Sequence, residues 1–253
     1  MKQVVAVLLA GVSIATPVQA AVTPSDPVSA LKSRMTAGKG VTFADVTSYV
    51  ELSGRTRVMS RRGTLQYGKS GITASDVSVK AASGNGRSDV FVDEHVITVG
   101  KVSYRKGGLF AQRGPKGKPW VRIDKWLPVG LSGAFSQPVN ATEPETLKAL
   151  TSAGKRSGRT YTGNVTFRQL WKISPWARAS LVRKENDELI HYTLTLGPDN
   201  LPRKLVTTYL TDGHWPGRGT AGDEIHNETA YKGWGGRYTI TPPPASQVYA
   251  GKK

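Results

Sequence analysis

Ile190-His191-Tyr192-Thr193-Leu194-Thr195-Leu196 decides the fold class. Its apolar side chains fall on every second residue, at Ile190, Tyr192, Leu194 and Leu196, while His191, Thr193 and Thr195 hold the other face. A period of two marks a strand with one buried face. Gly197-Pro198-Asp199-Asn200-Leu201-Pro202 follows, a run of turn formers, and Lys204 to Leu210 returns as the partner strand. The unit is an antiparallel hairpin with one apolar side.

The same alternation recurs outward from this hairpin. Upstream it appears at Leu65 and Tyr67, Val77 and Val79, Val90 and Val92, Ile97 and Val99, and Val121 and Ile123. Short connectors separate these segments: Gly84-Asn85-Gly86, Asp93-Glu94 and Gly100-Lys101. Downstream, Glu224 to Tyr231 and Tyr238 to Thr241 read as another pair, ended by Pro242-Pro243-Pro244, which cannot donate to a ladder. This spacing predicts a meandering antiparallel sheet. Helices are predicted at three places. Ser25-Asp26-Pro27 opens one, with Val28, Leu31 and Met35 on its apolar face and Gly38 and Gly40 stopping it. Thr142 and Glu145 read as a capping box ahead of Leu147 and Leu150, with Gly154 as the stop. A strand near 159 runs into a short helix, Phe167 to Ile173, closed by Pro175. Between Lys125 and Ala141 the alternation is lost, and a long loop is expected. The class is α+β.

The N-terminus reads as an export signal. Lys2 precedes an uncharged apolar run from Val4 to Ile14, and Val18 and Ala20 occupy the small-residue positions of a cleavage site. The run falls short of the roughly 20 apolar residues a membrane span needs. The expected organisation is a signal peptide at 1–20 and a single domain at 21–253, soluble and extracytoplasmic, with no transmembrane helix. The chain has 253 residues, 35 Lys and Arg against 18 Asp and Glu, a net charge of +17 and no cysteine. Absence of cysteine excludes disulfides, thiolate catalysis and a lipid anchor on cysteine; Leu9-Ala10-Gly11 leads to Val12 where such a Cys would stand. The basic balance favours anionic membrane surfaces or wall polymers over nucleic acid, given export.

Motifs that suggest enzymes do not survive their context. Gly63-Thr64-Leu65-Gln66-Tyr67-Gly68-Lys69-Ser70 fits a phosphate-loop pattern, yet Leu65 and Tyr67 alternate within it as a strand does, and the residues after it form no helix. A hairpin turn at Gly68-Lys69-Ser70-Gly71 is expected instead. Gly217-Arg218-Gly219-Thr220-Ala221-Gly222 matches a dinucleotide pattern without the surrounding strand and helix. His95, His191, His214 and His226 have no metal-ligand spacing, although His191 and His226 are candidates to meet across the sheet. No catalytic residue, metal or cofactor is expected.

Four stretches together resemble one family: Val96 to Tyr104, Gly117 to Asp124, Pro198 to Lys204, and Tyr238 to Ser246. In this order they resemble exported actinobacterial proteins of the LolA-like superfamily, of the LppX/LprG type. The resemblance spans about residues 27–249. It implies a strongly curved antiparallel half-barrel with helices across the concave face, an apolar cavity between them for acyl chains, and a carrier rather than an enzyme. Two departures stand out: the lipidation cysteine is missing, and the Asp212 to Asp223 segment is longer than a usual hairpin.

On that reading the candidate cavity wall is Phe43, Leu65, Tyr67, Val90, Ile123, Tyr192 and Leu194. The candidate floor or lid is Leu147, Leu150, Leu170 and Trp171, with Leu127, Leu131 and Phe135 on the loop. Trp215, on its Gly-rich segment, is the candidate membrane or partner contact. The expected partner is a lipid or acylated ligand and the expected state a monomer. The alternative function is an envelope sensor or interaction module that grips a protein or anionic polymer through the basic surface.

Overall fold

The structure is a computed structural model, and it describes residues 26–51, 54–82, 92–108, 114–130, 136–180, 187–210 and 223–251. The expected signal peptide, Gly84-Asn85-Gly86, Val90, Leu131, Phe135, His214, Trp215 and the Gly217–Gly222 motif lie outside the described residues.

One twelve-stranded sheet carries the fold. β1 (Lys39–Glu51), β2 (Gly54–Gly68), β3 (Gly71–Ala81), β4 (Glu94–Val99), β5 (Val102–Gly107) and β6 (Trp120–Ile123) form one antiparallel meander. β7 (Lys155–Ser157), β8 (Thr160–Thr166), β9 (Leu189–Leu196), β10 (Pro202–Leu210) and β11 (Glu224–Arg237) form a second. The two meanders join where β1 pairs antiparallel with β11 along most of its length. β12 (Val248–Tyr249) lies parallel to β6 at one edge, and β7 is the other edge, so the curved sheet stays open. Register shifts at Gly40/Thr42, Thr47/Ser48, Gln66/Tyr67 and Pro202/Lys204 interrupt the long central ladders, and such bulges bend and twist the strand that holds them.

The hairpin at residues 190–210 forms as its alternation predicts. Ile190, Tyr192, Leu194 and Leu196 are buried, and Pro202 opens β10 at the first strand position, where a proline is tolerated. Asn200 adopts φ 57°, which the turn requires and an asparagine accepts. Gly197 N–H donates to the Leu201 carbonyl across it at 2.8 Å.

Among the described residues four α-helices pack against the sheet. α1 (Pro27–Arg34) is capped by the Asp26 carboxylate, which accepts from Ser29 N–H at 2.7 Å. α2 (Pro144–Ala153) starts later than the sequence suggests. The expected Thr142/Glu145 capping box does not form: Pro144 takes the first helical position, Glu143 is the N-cap residue, and the Thr142 hydroxyl donates to Asn140 Oδ1 instead. α3 (Phe167–Ile173) has the reciprocal box the sequence left unread, between Thr166 and Gln169. Pro175 closes α3 and opens a fourth helix, α4 (Pro175–Ala179).

Three further expectations are corrected. β11 continues to Arg237, and residues 238–241 form no strand, since Tyr238 leaves the ladder with its N–H on the Gly38 carbonyl. Glu94 is the first residue of β4 rather than a turn residue, and it is buried. His191 and His226 do not meet: Thr208 of β10 stands between them, opposite both.

Candidate functional site

The inner face of the sheet, under the helices, is apolar at its flanks and polar along its centre. On β9 and β10, Ile190, Leu194, Leu196, Leu205 and Tyr209 bury against Leu147, Leu150 and Leu170. Across β2, β1, β11 and β10 the facing residues are instead Arg61, Asp45, Thr229, Asn227 and Thr207, all buried. Arg61 Nη2 sits 2.6 Å from Asp45 Oδ2, and its guanidinium lies against the rings of Phe43 and Trp176, 5.7 and 5.4 Å from their centroids, while the two rings pack edge to face on each other at 6.0 Å. The segment after residue 135 closes over this band. Ser136 Oγ donates to Asp45, Gln137 Oε1 accepts from the Thr207 hydroxyl at 2.8 Å, and the Trp176 indole N–H reaches the Gln137 carbonyl at 3.1 Å. The space between Phe43, Leu65, Gln137 and Tyr231 is only about 10 Å³, about one water probe.

The open volume lies elsewhere, in a cleft of about 660 Å³ at one end of the helices. α1 contributes Lys32 to it, and the C-cap residue of that helix contributes Met35. The β2–β3 turn adds Lys69 and Ser70, and β3 adds Gly71 and Ile72. Trp126 enters from the segment after β6, and Ile173 and Pro175 come from the junction of α3 and α4. Thr142, Glu143, Pro144 and Glu145 line it from the start of α2. Met35, Ile72, Trp126 and Ile173 are half-buried, while Lys32, Lys69 and Glu145 are exposed. The cleft thus combines four half-buried apolar side chains and the buried Thr142 and Glu143 with a charged rim. A second groove of about 440 Å³ runs between α2, β8 and α3 and shares Ile173 with the first.

Glu143 sits where the cleft meets the interior. It lies at the start of α2, but its carboxylate serves α4: Oε1 accepts from Trp176 N–H at 2.9 Å, and Oε2 accepts from the hydroxyls of Ser174 and of Thr146. Burial pushes its pKa up to about 7, although Ser174, Trp176, Thr146 and the charge of Arg178 oppose the rise. Burial likewise raises the hydroxyl of Tyr67, so that it stays a neutral O–H.

Of the candidate cavity residues, Phe43, Leu65, Tyr67, Leu147, Leu150, Leu170, Tyr192 and Leu194 are buried together in the core, and none lines the 660 Å³ cleft. Ile123, Leu127 and Trp171 are half-buried. Sequence reading placed Lys69 in a hairpin turn and Ile173 at the end of a helix, but it did not bring Lys32, Lys69, Ile72 and Ile173 together, because their elements are far apart in the chain. The histidines take ordinary partners: His95 with Asp76 at 2.6 Å, His191 with Asn164 at 2.6 Å and His226 with Glu228 at 3.1 Å. Among the described residues no group of three His, Cys, Asp or Glu side chains is placed to hold a metal. No helix among them is long and apolar enough to cross a membrane.

An open, curved antiparallel sheet with its helices gathered on one face is the architecture the sequence resemblance implies. No family model and no curated protein matches the sequence. Among solved structures, the chain is similar to LprF from Mycobacterium bovis, at 11% identity and a TM-score of 0.42 over 86% of this chain and 96% of that one. It is similar to the LolA superfamily protein NE2245 from Nitrosomonas europaea, at 9% identity and a TM-score of 0.30 over 84% and 92%. A DUF1329 family protein from Desulfovibrio piger is similar at 12% identity and 0.29 over 82% and 92%. Likenesses this distant carry no argument about ligand or partner.

Proposed function

We propose that this LolA-like protein binds a lipid or other acylated ligand outside the cytoplasm and carries it within the cell envelope, with the cleft between α1, the β2–β3 turn and the start of α2 taking the apolar chain. The observation that carries the reading is the cleft itself. Its volume of about 660 Å³ falls in the range of small-molecule pockets, and its floor of Met35, Ile72, Trp126 and Ile173 is apolar. Each CH₂ moved from water onto such a floor contributes about 0.8 kcal/mol, so a single acyl chain gains several kcal/mol before any polar contact. Behind the cleft, the buried leucines of α2 and α3 and the inner-face residues Phe43, Leu65, Tyr67, Tyr192 and Leu194 are the side chains that a longer chain would part. The reading of residues 1–20 as an export signal supports a site of action outside the cytoplasm.

Native mass spectrometry of the exported protein, purified from its own envelope without detergent, tests the proposal. A co-purifying acylated molecule is expected, and the Ile72→Asp/Ile173→Asp variant should lose it while keeping its far-UV circular dichroism. A clean apo mass for the unmodified protein, unchanged after incubation with lysophospholipid, would overturn the reading.

A further inference from the structure

The rim of the cleft carries two ammonium groups from separate parts of the chain, Lys32 on α1 and Lys69 in the β2–β3 turn, and both are exposed. Among the described residues neither forms an ion pair, whereas Lys80, Arg122, Arg168, Arg203 and Lys204 each pair with a carboxylate. One acid faces them across the opening, Glu145, which lies in the first turn of α2 and makes no ion pair among these residues either. Lys32 also sits in the field of Asp26 at the head of α1. Glu143, the other acid in the cleft wall, is occupied inwardly with Ser174, Thr146 and Trp176. The polar hydroxyl of Ser70 and the side-chain-free Gly71 complete the same turn, where a Cβ would meet nothing within 4 Å.

Apolar side chains in the cleft with two lysines at its lip that are unpaired among the described residues match an amphiphile of one particular polarity. We infer that the ligand of this cleft has an anionic headgroup, a phosphate ester on an acylated backbone, held at the lip by Lys32 and Lys69 while the chain lies on Met35, Ile72 and Ile173. The inference rests on the lipid-binding reading above and adds the headgroup to it. The chain supplies affinity through burial; the two lysines supply selectivity, because the ammonium groups recover part of their lost hydration only against an anion. Glu145 disfavours an anion and so limits affinity at the same lip.

Two probes that differ only in the phosphate test this: 1-oleoyl lysophosphatidic acid and 1-oleoylglycerol, titrated below their critical micelle concentrations into the full mature chain by calorimetry. Lysophosphatidic acid should bind roughly tenfold or more tighter than the glyceride, and the gap should shrink as salt is raised. In Lys32→Ala/Lys69→Ala the two probes should bind equally, with the glyceride affinity unchanged. Glu145→Gln should tighten lysophosphatidic acid alone. Inorganic phosphate by itself should show no binding; saturable binding of it would make the lip a site for free phosphate and overturn the lipid headgroup. Equal affinity of both probes for the unmodified protein, or a gap that persists in the double lysine variant, would overturn the headgroup inference while leaving acyl binding intact. Failure of both probes to bind would instead remove the lipid-binding reading on which it rests.

Discussion

The hydroxyl of Tyr192 on β9 donates to the carbonyl of Leu150 on α2 at 2.7 Å, spanning from the sheet to the helix above it. Two glycines make the crossing possible. A Cβ at Gly154 or at Gly163 would stand 2.8 Å from that hydroxyl. Gly154 ends α2 and Gly163 lies opposite Tyr192 on β8, so the ring fits between the end of the helix and the neighbouring strand. Tyr192→Phe should lower stability by about 1 kcal/mol, the ordinary net worth of a buried hydrogen bond, since the Leu150 carbonyl keeps the Gly154 N–H at 3.2 Å. Gly163→Ala should cost more, about 1–3 kcal/mol, because the tyrosine must leave its rotamer. In the Tyr192→Phe background the same glycine substitution should cost less. Urea denaturation of the four proteins completes the cycle; equal costs in both backgrounds would contradict this account.

The buried pair of Asp45 and Arg61 gives a second prediction. Both side chains are about 1% exposed, and the arginine lies against the rings of Phe43 and Trp176. Asp45→Ala should destabilise by about 3–5 kcal/mol, since it strands a guanidinium away from water. Replacing both partners with apolar residues, Asp45→Leu with Arg61→Met, should cost markedly less than the single change. Thermal unfolding monitored by calorimetry separates the two outcomes, and a double variant weaker than Asp45→Ala would count against the argument.

Glu143 makes stability depend on pH. Its folded pKa, about 7, lies above the ordinary value of 4.5. The folded state therefore holds its proton more tightly than the unfolded chain does. The stabilisation is complete below about pH 4.5 and is lost as pH rises toward and through 7, on the order of 3 kcal/mol in all. Arg178 is the charged group that opposes this rise. Glu143→Gln keeps an acceptor for Trp176 N–H and removes the titration. The unmodified protein should lose melting temperature between pH 5 and pH 8, and the variant should lose less over the same interval. Parallel curves for the two proteins would assign the pH response to other groups.

Trp126 offers a readout of cleft occupancy. It lines the cleft and is half-buried, so a bound acyl chain should shield its indole from solvent. In a variant with the other five tryptophans changed to Phe, lysophospholipid should shift the emission to the blue and protect it from iodide quenching. Ile173→Asp should abolish both effects. A shift that survives this substitution would place the ligand outside the cleft.

Much of the fold is readable before any coordinates. The alternation at Ile190–Leu196 and the turn at Gly197–Pro202 yield β9, β10 and their register. The strand pattern inside Gly63–Ser70 correctly sets aside the phosphate-loop match, because Tyr67 and Ile72 pair across a hairpin. Asp26-Pro27 marks the start of α1. Errors fall at boundaries where two local signals compete. Thr142 and Glu145 have capping-box spacing, but Pro144 two residues later is a stronger start, and Asn140 claims the threonine hydroxyl. The central polar band is a deeper miss. Asp45, Thr47 and Arg61 occupy inward positions of their strands, where period-two reading expects apolar residues.

By itself, the sequence determined most of the strands, the places of α1, α2 and α3, the turns at 68–71 and 197–202, and the one-sided burial of β9. Those follow from periods of two and 3.6 residues and from turn chemistry, which act between neighbours along the chain. Only the tertiary structure decided that β1 seals against β11, that a polar seam runs beneath the helices, and that Lys32, Lys69, Trp126, Glu145 and Ile173 share one cleft. The reason is physical: these contacts join residues tens to nearly two hundred positions apart, and their proximity depends on how the whole sheet curves and packs rather than on any local preference.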